Sequence, residues 1–231
     1  MLSRDGDNVW AYTGADIGLS YGSQWPHTDN WAVELREADV DRNPLYQLSA
    51  WFADAVRAGV PLPEAAALAT ATPDGVPSVR MVLVKRREET GFVFHSHYES
   101  RKARELAANP RGALVFYWEA QGRQVRVEGP VERTRPEETS AYVRSRPRPS
   151  QLSALASPQS RPIATRAELE RRVEELAAVY DGRELPLPEH WGGFRLLPGS
   201  IEAWQQRPDR LHDRLLYVRA GLGWRIERLA P

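Results

Sequence analysis

The stretch Ala65–Arg86 reads AAALATATPDGVPSVRMVLVKR, and it sets the class of fold that we expect. Two runs with strand-like composition, residues 65–72 and 77–86, flank Pro-Asp-Gly at 73–75. Because Asp-Gly favours a tight turn, the pattern predicts an antiparallel hairpin.

Outward from this hairpin, the sequence returns repeatedly to short strands. The next segments with strand character are GFVFHSH at 91–97, GALVFYWEA at 112–120 and RQVRVEGPVER at 123–133. The chain closes with four more: WGGFRLL at 191–197, SIEAWQQ at 200–206, RLLYVRA at 214–220 and GWRIERL at 223–229. We therefore expect about eight or nine strands, mostly linked by hairpins, and no parallel sheet of alternating βαβ units.

Three or four helices interrupt these strands. Their predicted starts carry an N-cap residue, a proline at the first helical position or a capping box: Asn43-Pro44, Ser100, Pro136, and Thr165 with Glu168. The predicted fold class is α+β, mainly antiparallel β: a barrel with helices packed outside, forming a single domain over residues 43–231. Residues 1–42 show neither a helical nor a strand period, and we interpret them as an N-terminal arm or a partly ordered tail.

The composition excludes several classes of function. Lys and Arg total 31, as do Asp and Glu, so the formal net charge is zero and we expect no nucleic-acid or membrane partner. No apolar run approaches the roughly 18 residues that a membrane span requires. The absence of cysteine excludes disulfides, thiolate catalysis and cysteine-bound metals, and it fits the reducing cytoplasm where we expect this protein.

Arginine nevertheless gathers in one segment. Residues 144–161 read RSRPRPSQLSALASPQSR, and the first eight hold no apolar side chain. A solvated linker would explain this composition, and so would an irregular loop that binds one or two phosphates, since guanidinium groups match phosphate oxygens bidentately. On the second interpretation, the side chains that donate to the phosphate are Tyr142, Arg146 and Ser150. Gln159 and Ser160 form a second polar pair after the short apolar stretch.

Two further patterns place cations where an anion could bind. Arg101 and Lys102 follow Ser100 at a predicted helix N-terminus, where free N–H groups and the helix dipole favour an anion, although an ordinary surface is the alternative. Arg80 and Lys85 end the run RMVLVK. Residues five apart reach one site only with a bulge or at strand ends, and otherwise they are the solvated ends of a buried strand.

The C-terminal region adds another cluster. Arg210, His212 and Arg214 alternate, so a strand would project all three the same way, close to Trp204. Three potential cations repel one another unless an anion joins them, so we expect either an anion site or a rim of exposed charge. In the segment RQVRV, Gln124 and Arg126 share one strand face, and Val125 and Val127 share the other.

Other chemistries find little support. The phosphate-loop, dinucleotide and nucleophile-elbow motifs are all missing. His95 and His97 alternate, but two imidazoles without a third ligand make a poor zinc site, and we expect no metal. A small phosphorylated molecule therefore fits the cations better than a nucleic-acid track.

In this order and spacing, the motifs resemble those of the pyridoxine/pyridoxamine 5′-phosphate oxidase family over residues 43–231. The motifs that carry the resemblance are RMVLVK, SRKARELAANPR, GRQVRVEG, SRPRPSQ, SPQSRPI, LPEHWGGFRL, IEAWQ, RLHDRLLY and ERLAP. The resemblance implies a split β-barrel, a homodimer and flavin mononucleotide (FMN) at the dimer interface. It also implies oxidation of pyridoxine or pyridoxamine 5′-phosphate to pyridoxal 5′-phosphate, with a hydride passing from the substrate's 4′ carbon to flavin N5 and O2 reoxidising the flavin to give H2O2.

The resemblance also implies two sets of site residues. The cofactor-binding set is Arg80, Met81, Val82, Leu83, Val84, Lys85, His95, Ser96, Arg101, Lys102, Gln124, Gln159, Ser160, Trp204 and Arg214, with several contributed by the partner subunit. The substrate-binding set is Lys85, Tyr142, Arg146, Ser150, Arg210 and His212. Arg210 and His212 are the catalytic candidates, lying over the substrate ring.

Four departures from the family pattern keep alternatives open. His95-Ser96 replaces the usual Tyr-Thr pair, SQLSAL at 150–155 stands where SQ-GAW is common, and QQRPD at 205–209 replaces a glycine-bearing turn. The segment GSQWPHTDNW at 22–31 lacks the basic motif that closes over the substrate. A phenazine-type FMN oxidase of secondary metabolism and a non-catalytic binder of flavin or pyridoxal phosphate therefore remain alternatives.

Overall fold

The computed structural model describes residues 34–88 and 90–231, together with the backbone of two short strands before them. These strands, β1 (Ser3–Asp5) and β2 (Asn8–Ala11), pair antiparallel, which the sequence pattern did not predict. The rest of residues 1–33, including 22–31 where the basic motif is missing, lies outside the described residues. The interpretation of residues 1–42 as an arm stays a prediction.

The main sheet of the described chain has nine strands. Their bounds are β3 (Ala65–Ala71), β4 (Pro77–Glu88), β5 (Gly91–His97), β6 (Arg111–Trp118), β7 (Arg123–Arg133), β8 (Trp191–Leu196), β9 (Ser200–Gln205), β10 (Asp213–Ala220) and β11 (Gly223–Arg228). Each predicted strand segment therefore forms a strand.

The predicted hairpin is confirmed as β3 and β4, which pair antiparallel in unbroken register. The N–H of Thr72 donates to the carbonyl of Val76 at 3.1 Å across the turn. Gly75 has a φ of +89° there, a conformation that glycine adopts without steric cost. Val82 and Val84 are buried while their neighbours along the strand face outward, as the pleat requires.

Six strands close into a barrel in the order β3-β4-β5-β8-β7-β6, with β6 returning to β3. Strand β7 is shared: its residues 123–128 pair with β9, whereas 131–133 pair with β8. Gly129 lies at this split, where a Cβ would stand 1.9 Å from the carbonyl oxygen of Leu197. Strands β9, β10 and β11 continue the sheet outside the barrel, so the predicted split β-barrel is confirmed.

The helices of the described chain are α1 (Pro44–Arg57), α2 (Arg101–Ala108), α3 (Pro136–Ser145), α4 (Arg148–Ala156) and α5 (Arg166–Val179). Two predicted caps are confirmed: Asn43 Oδ1 accepts from the N–H of Leu45 at 3.0 Å, and Thr165 Oγ1 accepts from that of Glu168 at 3.2 Å. Within the described residues, no helix has both the length and the apolar character needed to cross a membrane.

Two local predictions were wrong. The arginine-rich segment is not an irregular loop throughout, because α4 occupies 148–156. Pro147 stands at its N-cap and Pro149 in its first turn, where a missing N–H removes no intrahelical bond. Ser100 stands at the N-cap of α2, but its side chain makes no capping bond. Its Oγ lies instead 3.2 Å from Ser96 Oγ and 3.5 Å from Lys102 Nζ, which compete for it.

Large side chains fill the barrel and fix its shape. The bulkiest fully buried ones on the barrel strands are Trp118, Phe92, Phe94 and Phe116, and Tyr217 is buried on β10 beside the barrel. Because such interiors are close-packed, β4 and β5 are held on a rigid scaffold. These two strands carry the site described next.

Candidate functional site

A cavity of about 290 Å³ opens beside β4 and β5. Its lining residues are Met81, Val82, Leu83, His95, Ser96, Lys102, Tyr142, Arg146, Gln159 and Trp191. All of them except Trp191 were predicted as site residues from the sequence. The structure therefore joins parts of the predicted cofactor set and of the predicted substrate set in one cavity.

A second cavity of about 550 Å³ adjoins the first, because His95 and Tyr142 line both. Lys85 and Arg86 contribute its cations, and Glu137 and Glu138 on α3 contribute two carboxylates. The strand pairing of β4 with β5 shifts register between Val84 and Arg86. A bulge in this strand was one of the two conditions under which Arg80 and Lys85 could reach a single site. Arg80 and Lys85 nevertheless serve different places, since Arg80 does not line this cavity.

Lys102 forms the polar end of the smaller cavity. Its Nζ donates to Ser96 Oγ at 3.0 Å and to Gln159 Oε1 at 3.3 Å. Burial, with a further contribution from Arg80, lowers the pKa of Lys102 to about 8. Within residues 34–88 and 90–231, no carboxylate pairs with this ammonium group, so the cation lacks a counter-ion.

Arg80 and Arg101 lie in a cluster beside Lys102. Arg80 donates to Oγ1 of Thr70, on β3, at 2.5 Å and also to Oγ of Ser78, on β4. Arg80 Nη2 and Arg101 Nε reach the same carboxylate, that of Glu105, at 3.3 and 2.8 Å. Glu105, on α2, therefore brings Arg80 and Arg101 together. The charge of Arg80 also acts on Lys102 near the start of that helix, where the side chain of Ser100 makes no capping bond.

Aromatic rings form the wall between the two cavities. The ring of His95 lies 3.8 Å from that of Tyr142 at 17° and 5.5 Å from that of Trp191 at 13°. The Arg146 guanidinium carbon lies 4.9 Å from the Trp191 ring centroid. Such a flat, nearly parallel group suits contact with a planar ligand.

Three buried nitrogens of this wall have no hydrogen-bond partner among residues 34–88 and 90–231. They are Nδ1 and Nε2 of His95 and Nη1 of Arg146. Burial, then the positive charges of Arg86 and Arg146, lowers the pKa of His95 to about 4, so the ring is neutral at neutral pH. Unpaired buried polar atoms are costly, and here they border a cavity in which a ligand can supply the missing partners.

The remaining predicted substrate residues are less closely gathered. Lys85 Nζ lies 3.2 Å from Glu64 Oε1, so part of its charge is already neutralised. Ser150 lies half-buried in the first turn of α4, with its N–H bonded to the carbonyl of Pro147 at 2.9 Å. Ser160 is exposed at a left-handed position, with a φ of 68°. Neither serine lines the two cavities.

The prediction that Arg210, His212 and Arg214 project from one strand was wrong. Arg210 ends a 3-10 turn at a φ of 60°, His212 precedes β10, and only Arg214 lies in that strand. His212 Nδ1 accepts from the N–H of Arg207 at 3.1 Å, and its ring lies 4.6 Å from that of Trp204.

Arg214 is already paired within the chain. Its Nε donates to Glu202 Oε1 at 2.7 Å, so this carboxylate is the anion that joins the cluster. Gln124, Trp204 and Arg214 stand opposite one another across β7, β9 and β10. This row lines neither of the two cavities that contain His95, and the described chain therefore holds the predicted site in two separate parts.

Sequence reasoning missed Trp191, Glu105 and Glu202. Trp191 stands directly before the pair Gly192-Gly193, and paired glycines in a strand mark a close approach, although that approach is not to the residues of the site. A Cβ on Gly192 would lie 1.9 Å from the hydroxyl of Tyr98. The two glutamates gave no signal in the sequence, since each acts only through partners distant along the chain.

Two family models match the chain. One, described as pyridoxamine 5′-phosphate oxidase, matches residues 52–180. The other, described as the pyridoxine 5′-phosphate oxidase C-terminal dimerisation region, matches residues 191–231. Together they cover the barrel, the helices α3 to α5 and the sheet beyond the split.

Relatives and solved structures agree with this match. Two similar proteins are named pyridoxine/pyridoxamine 5′-phosphate oxidase. The one from Rubrobacter xylanophilus is 55% identical, and the match covers 85% of this chain and 91% of the relative. The one from Burkholderia mallei is 53% identical, and the match covers 86% of this chain and 94% of the relative. PhzG from Burkholderia lata, solved in complex with tetrahydrophenazine-1-carboxylic acid, superposes with a TM-score of 0.81 at 35% identity, covering 86% of this chain and 98% of PhzG. An FMN-binding protein from Nostoc punctiforme, 18% identical with a TM-score of 0.63 over 79% of this chain and 96% of its own, shares the fold. The chain is therefore a member of the pyridoxine/pyridoxamine 5′-phosphate oxidase family.

Proposed function

We propose that this protein oxidises pyridoxamine 5′-phosphate, pyridoxine 5′-phosphate or both to pyridoxal 5′-phosphate, with FMN as cofactor and O2 as acceptor, releasing H2O2. It acts as a homodimer in the cytoplasm, as an oxidoreductase of vitamin B6 metabolism. The names of relatives at 53–55% identity support this substrate class.

The observation that carries the proposal is the buried Nη1 of Arg146, which has no hydrogen-bond partner in the part of the chain that the structure describes and lies beside an aromatic wall. A guanidinium next to flat rings suits a planar ligand with an anionic arm, because the rings contact the face and the guanidinium binds the charge. A phosphorylated pyridine has this shape. Lys85 stands at the adjoining cavity and supplies a second cation for a dianion.

The residues also fit the phosphate of FMN. Lys102 is a buried cation without a carboxylate partner in the described chain, and α2 begins there with no side-chain cap. Backbone N–H groups at a helix N-terminus and nearby cations together favour a phosphate. FMN held by these residues would supply a hydride acceptor for the substrate and a reduced flavin that O2 can reoxidise. The chain's own part is to bind both phosphates, hold the rings face to face and exclude water.

We infer the homodimer from an exposed apolar row on β4. Val79 and Met81 are 69% and 65% exposed, and Leu83 is 39% exposed, although all three are large and apolar. Met81 and Leu83 also line the smaller cavity, so a second chain packed on this row would cover it. The C-terminal match to a dimerisation region supports the same arrangement. The row of Gln124, Trp204 and Arg214 could then complete the partner's site.

The test measures flavin absorption of the purified protein, then O2 uptake and peroxide release with each phosphorylated vitamer and with unphosphorylated pyridoxine. We expect a yellow protein that turns over the phosphorylated forms. The substitution Arg146→Gln should raise KM for the phosphorylated substrate about 100-fold and leave flavin content unchanged, since loss of one partner of a buried charge pair costs about 2–5 kcal/mol.

The matched control is Arg144→Gln. Arg144 is two residues away, its side chain is 62% exposed, and it pairs at the surface with Glu184 at 3.4 Å. We expect this variant to keep the wild-type KM. A flavin-loaded protein that oxidises neither phosphorylated vitamer contradicts the proposed function, and equal effects of the two substitutions contradict the assignment to Arg146.

A phenazine-type oxidase is the second candidate, favoured by the superposition on PhzG. The ligand in that structure also carries an anionic group, so Arg146 alone does not separate the two functions. Turnover of a reduced phenazine carboxylic acid, with none of either phosphorylated vitamer, would support this candidate. Bound flavin with no steady-state peroxide from any of these substrates would support a non-catalytic binder.

A further inference from the structure

Glu105 is a buried carboxylate inside the group of cations assigned above to a phosphate. It lies on α2 and is only 5% exposed. A negative charge beside a predicted anion site opposes the anion directly, so its presence requires a physical reason.

The contacts of Glu105 supply that reason. Its Oε2 accepts from the hydroxyls of Thr70 and Ser78 and from Arg80 Nη2 at 3.3 Å. Its Oε1 accepts from Arg101 Nε at 2.8 Å. One carboxylate thus joins an arginine of β4 to an arginine of α2, and each guanidinium is fixed relative to the other.

Without this carboxylate the two guanidinium groups would be neighbours of like charge. The side chain of Arg101 is 58% exposed, and in the described part of the chain its one ion pair is with Glu105. Without that ion pair the side chain of Arg101 would be free to move, and its whole conformational entropy would be lost when it binds a phosphate. The carboxylate therefore orders the site before the ligand arrives.

The same group also adjusts the charge of the site. Arg80, Arg101 and Lys102 carry three positive charges, and Glu105 carries one negative charge within hydrogen-bonding distance of two of them. Burial tends to raise the pKa of Glu105, but hydrogen bonds from Ser78, Thr70 and the two arginines lower it to about 2. The net charge of +2 matches a phosphomonoester dianion.

We propose that Glu105 is a positioning residue for the phosphate of FMN, holding the guanidinium groups of Arg80 and Arg101 in the orientation that the phosphate requires. This inference rests on the proposed function in that it takes FMN as the ligand of this cluster. It adds a determinant of cofactor specificity: Glu105 makes the site prefer the phosphorylated flavin over riboflavin.

The test compares Glu105→Gln with Glu99→Gln in the full-length chain stripped of flavin. Glu99 precedes the same helix, and its carboxylate pairs at the surface with Arg161 at 2.5 Å, so its substitution removes the same charge nearby without touching the cluster. Dissociation constants for FMN and for riboflavin are measured by quenching of flavin fluorescence at pH 7.5. We expect Glu105→Gln to weaken FMN binding at least about tenfold and to leave riboflavin binding unchanged, because only FMN contacts the arginines. Glu99→Gln should change neither constant.

Each other outcome overturns the proposal. Equal weakening of FMN and riboflavin by Glu105→Gln would mean that the residue only supports the fold, and tighter FMN binding would mean that its charge opposes the phosphate. A wild-type protein with equal affinity for FMN and riboflavin would show that no phosphate is bound here. Should Glu105→Gln fail to fold, Glu105→Asp, which keeps the charge but shortens the side chain, must weaken FMN selectively. Peroxide release is read separately, so failure of the oxidase assignment leaves the ratio of the two affinities interpretable.

Discussion

Flavin binding should depend on pH through Lys102. This side chain is 9% exposed, and burial, aided by the charge of Arg80, lowers its pKa to about 8. A phosphate placed against the ammonium group would raise the pKa back toward its ordinary value of 10.5. Binding at alkaline pH must therefore be accompanied by proton uptake, and FMN affinity must fall as the free protein loses that proton.

The magnitude follows from the pKa. At pH 7 Lys102 is almost fully protonated, whereas at pH 9, about one unit above the pKa, roughly a tenth of the molecules carry the proton. The dissociation constant of FMN should therefore rise about tenfold between pH 7 and pH 9, equivalent to about 1.4 kcal/mol. The phosphate contributes no slope, because its second pKa near 6 leaves it a dianion throughout this range.

The assay is quenching of flavin fluorescence by the flavin-free protein, repeated at half-unit steps of pH with FMN and with riboflavin. Riboflavin has no phosphate and should bind with a constant affinity. The variant Lys102→Arg keeps a positive charge that does not titrate below pH 12, so its FMN affinity should be the same at pH 7 and pH 9. Lys102→Met should bind FMN weakly and without a slope.

Either of two results would refute this reasoning. FMN affinity that stays constant in the wild-type protein would mean that Lys102 does not meet the phosphate. A slope that persists in Lys102→Arg, or that riboflavin shares, would assign the titration to another group.

Three further predictions concern stability and assembly. Because His95 is protonated at a pKa of about 4 in the folded chain and 6.5 in the unfolded chain, the free energy of unfolding should decrease as pH falls from 6.5 to 4. That loss is up to about 3 kcal/mol, and His95→Phe should lack it in matched denaturant titrations. Gly129→Ala should cost more than about 3 kcal/mol, because its Cβ would stand 1.9 Å from a backbone oxygen, whereas a Cβ on Gly199 would meet nothing closer than 3.6 Å. Gly199→Ala is therefore the control in thermal melts, and a similar loss in both would contradict the account of the strand split. Met81→Asp should convert the dimer to a monomer, as measured by light scattering. The control is Val76→Asp, at a side chain 50% exposed in the hairpin turn, which should leave the dimer intact. A dimeric Met81→Asp variant would place the interface elsewhere.

Local features of the fold followed from short segments of sequence. The turn around Gly75, the cap at Asn43 and the capping box of Thr165 each depend on residues within a few positions of one another. Their conformational preferences act before any tertiary contact forms, which is why reading the chain in order was enough. The error over α4 has the same local basis, since two prolines indicate a loop unless both fall at a helix start.

The candidate site was predictable only as a set of residue types. Arg146 and Lys102 stood out because cations in polar segments indicate an anion, but their surroundings could not be foreseen. Trp191 is 96 positions from His95 along the chain and reaches it only because β5 pairs with β8. Glu202 neutralises Arg214 through strand pairing, so an expected unpaired cation turned out to be paired.

The linear order of apolar, polar and turn residues was enough to predict an antiparallel protein with helices at its margins, together with clustered cations of the kind that bind phosphate. Closure of the barrel, the division of β7 between two partners at Gly129, and the placing of Glu105 between Arg80 and Arg101 were settled only by the packed structure. The physical reason is the distance along the chain between the groups that interact. Turns and caps are decided by neighbours a few bonds away, whereas strand pairing and buried charge depend on groups that meet only after the whole chain has folded.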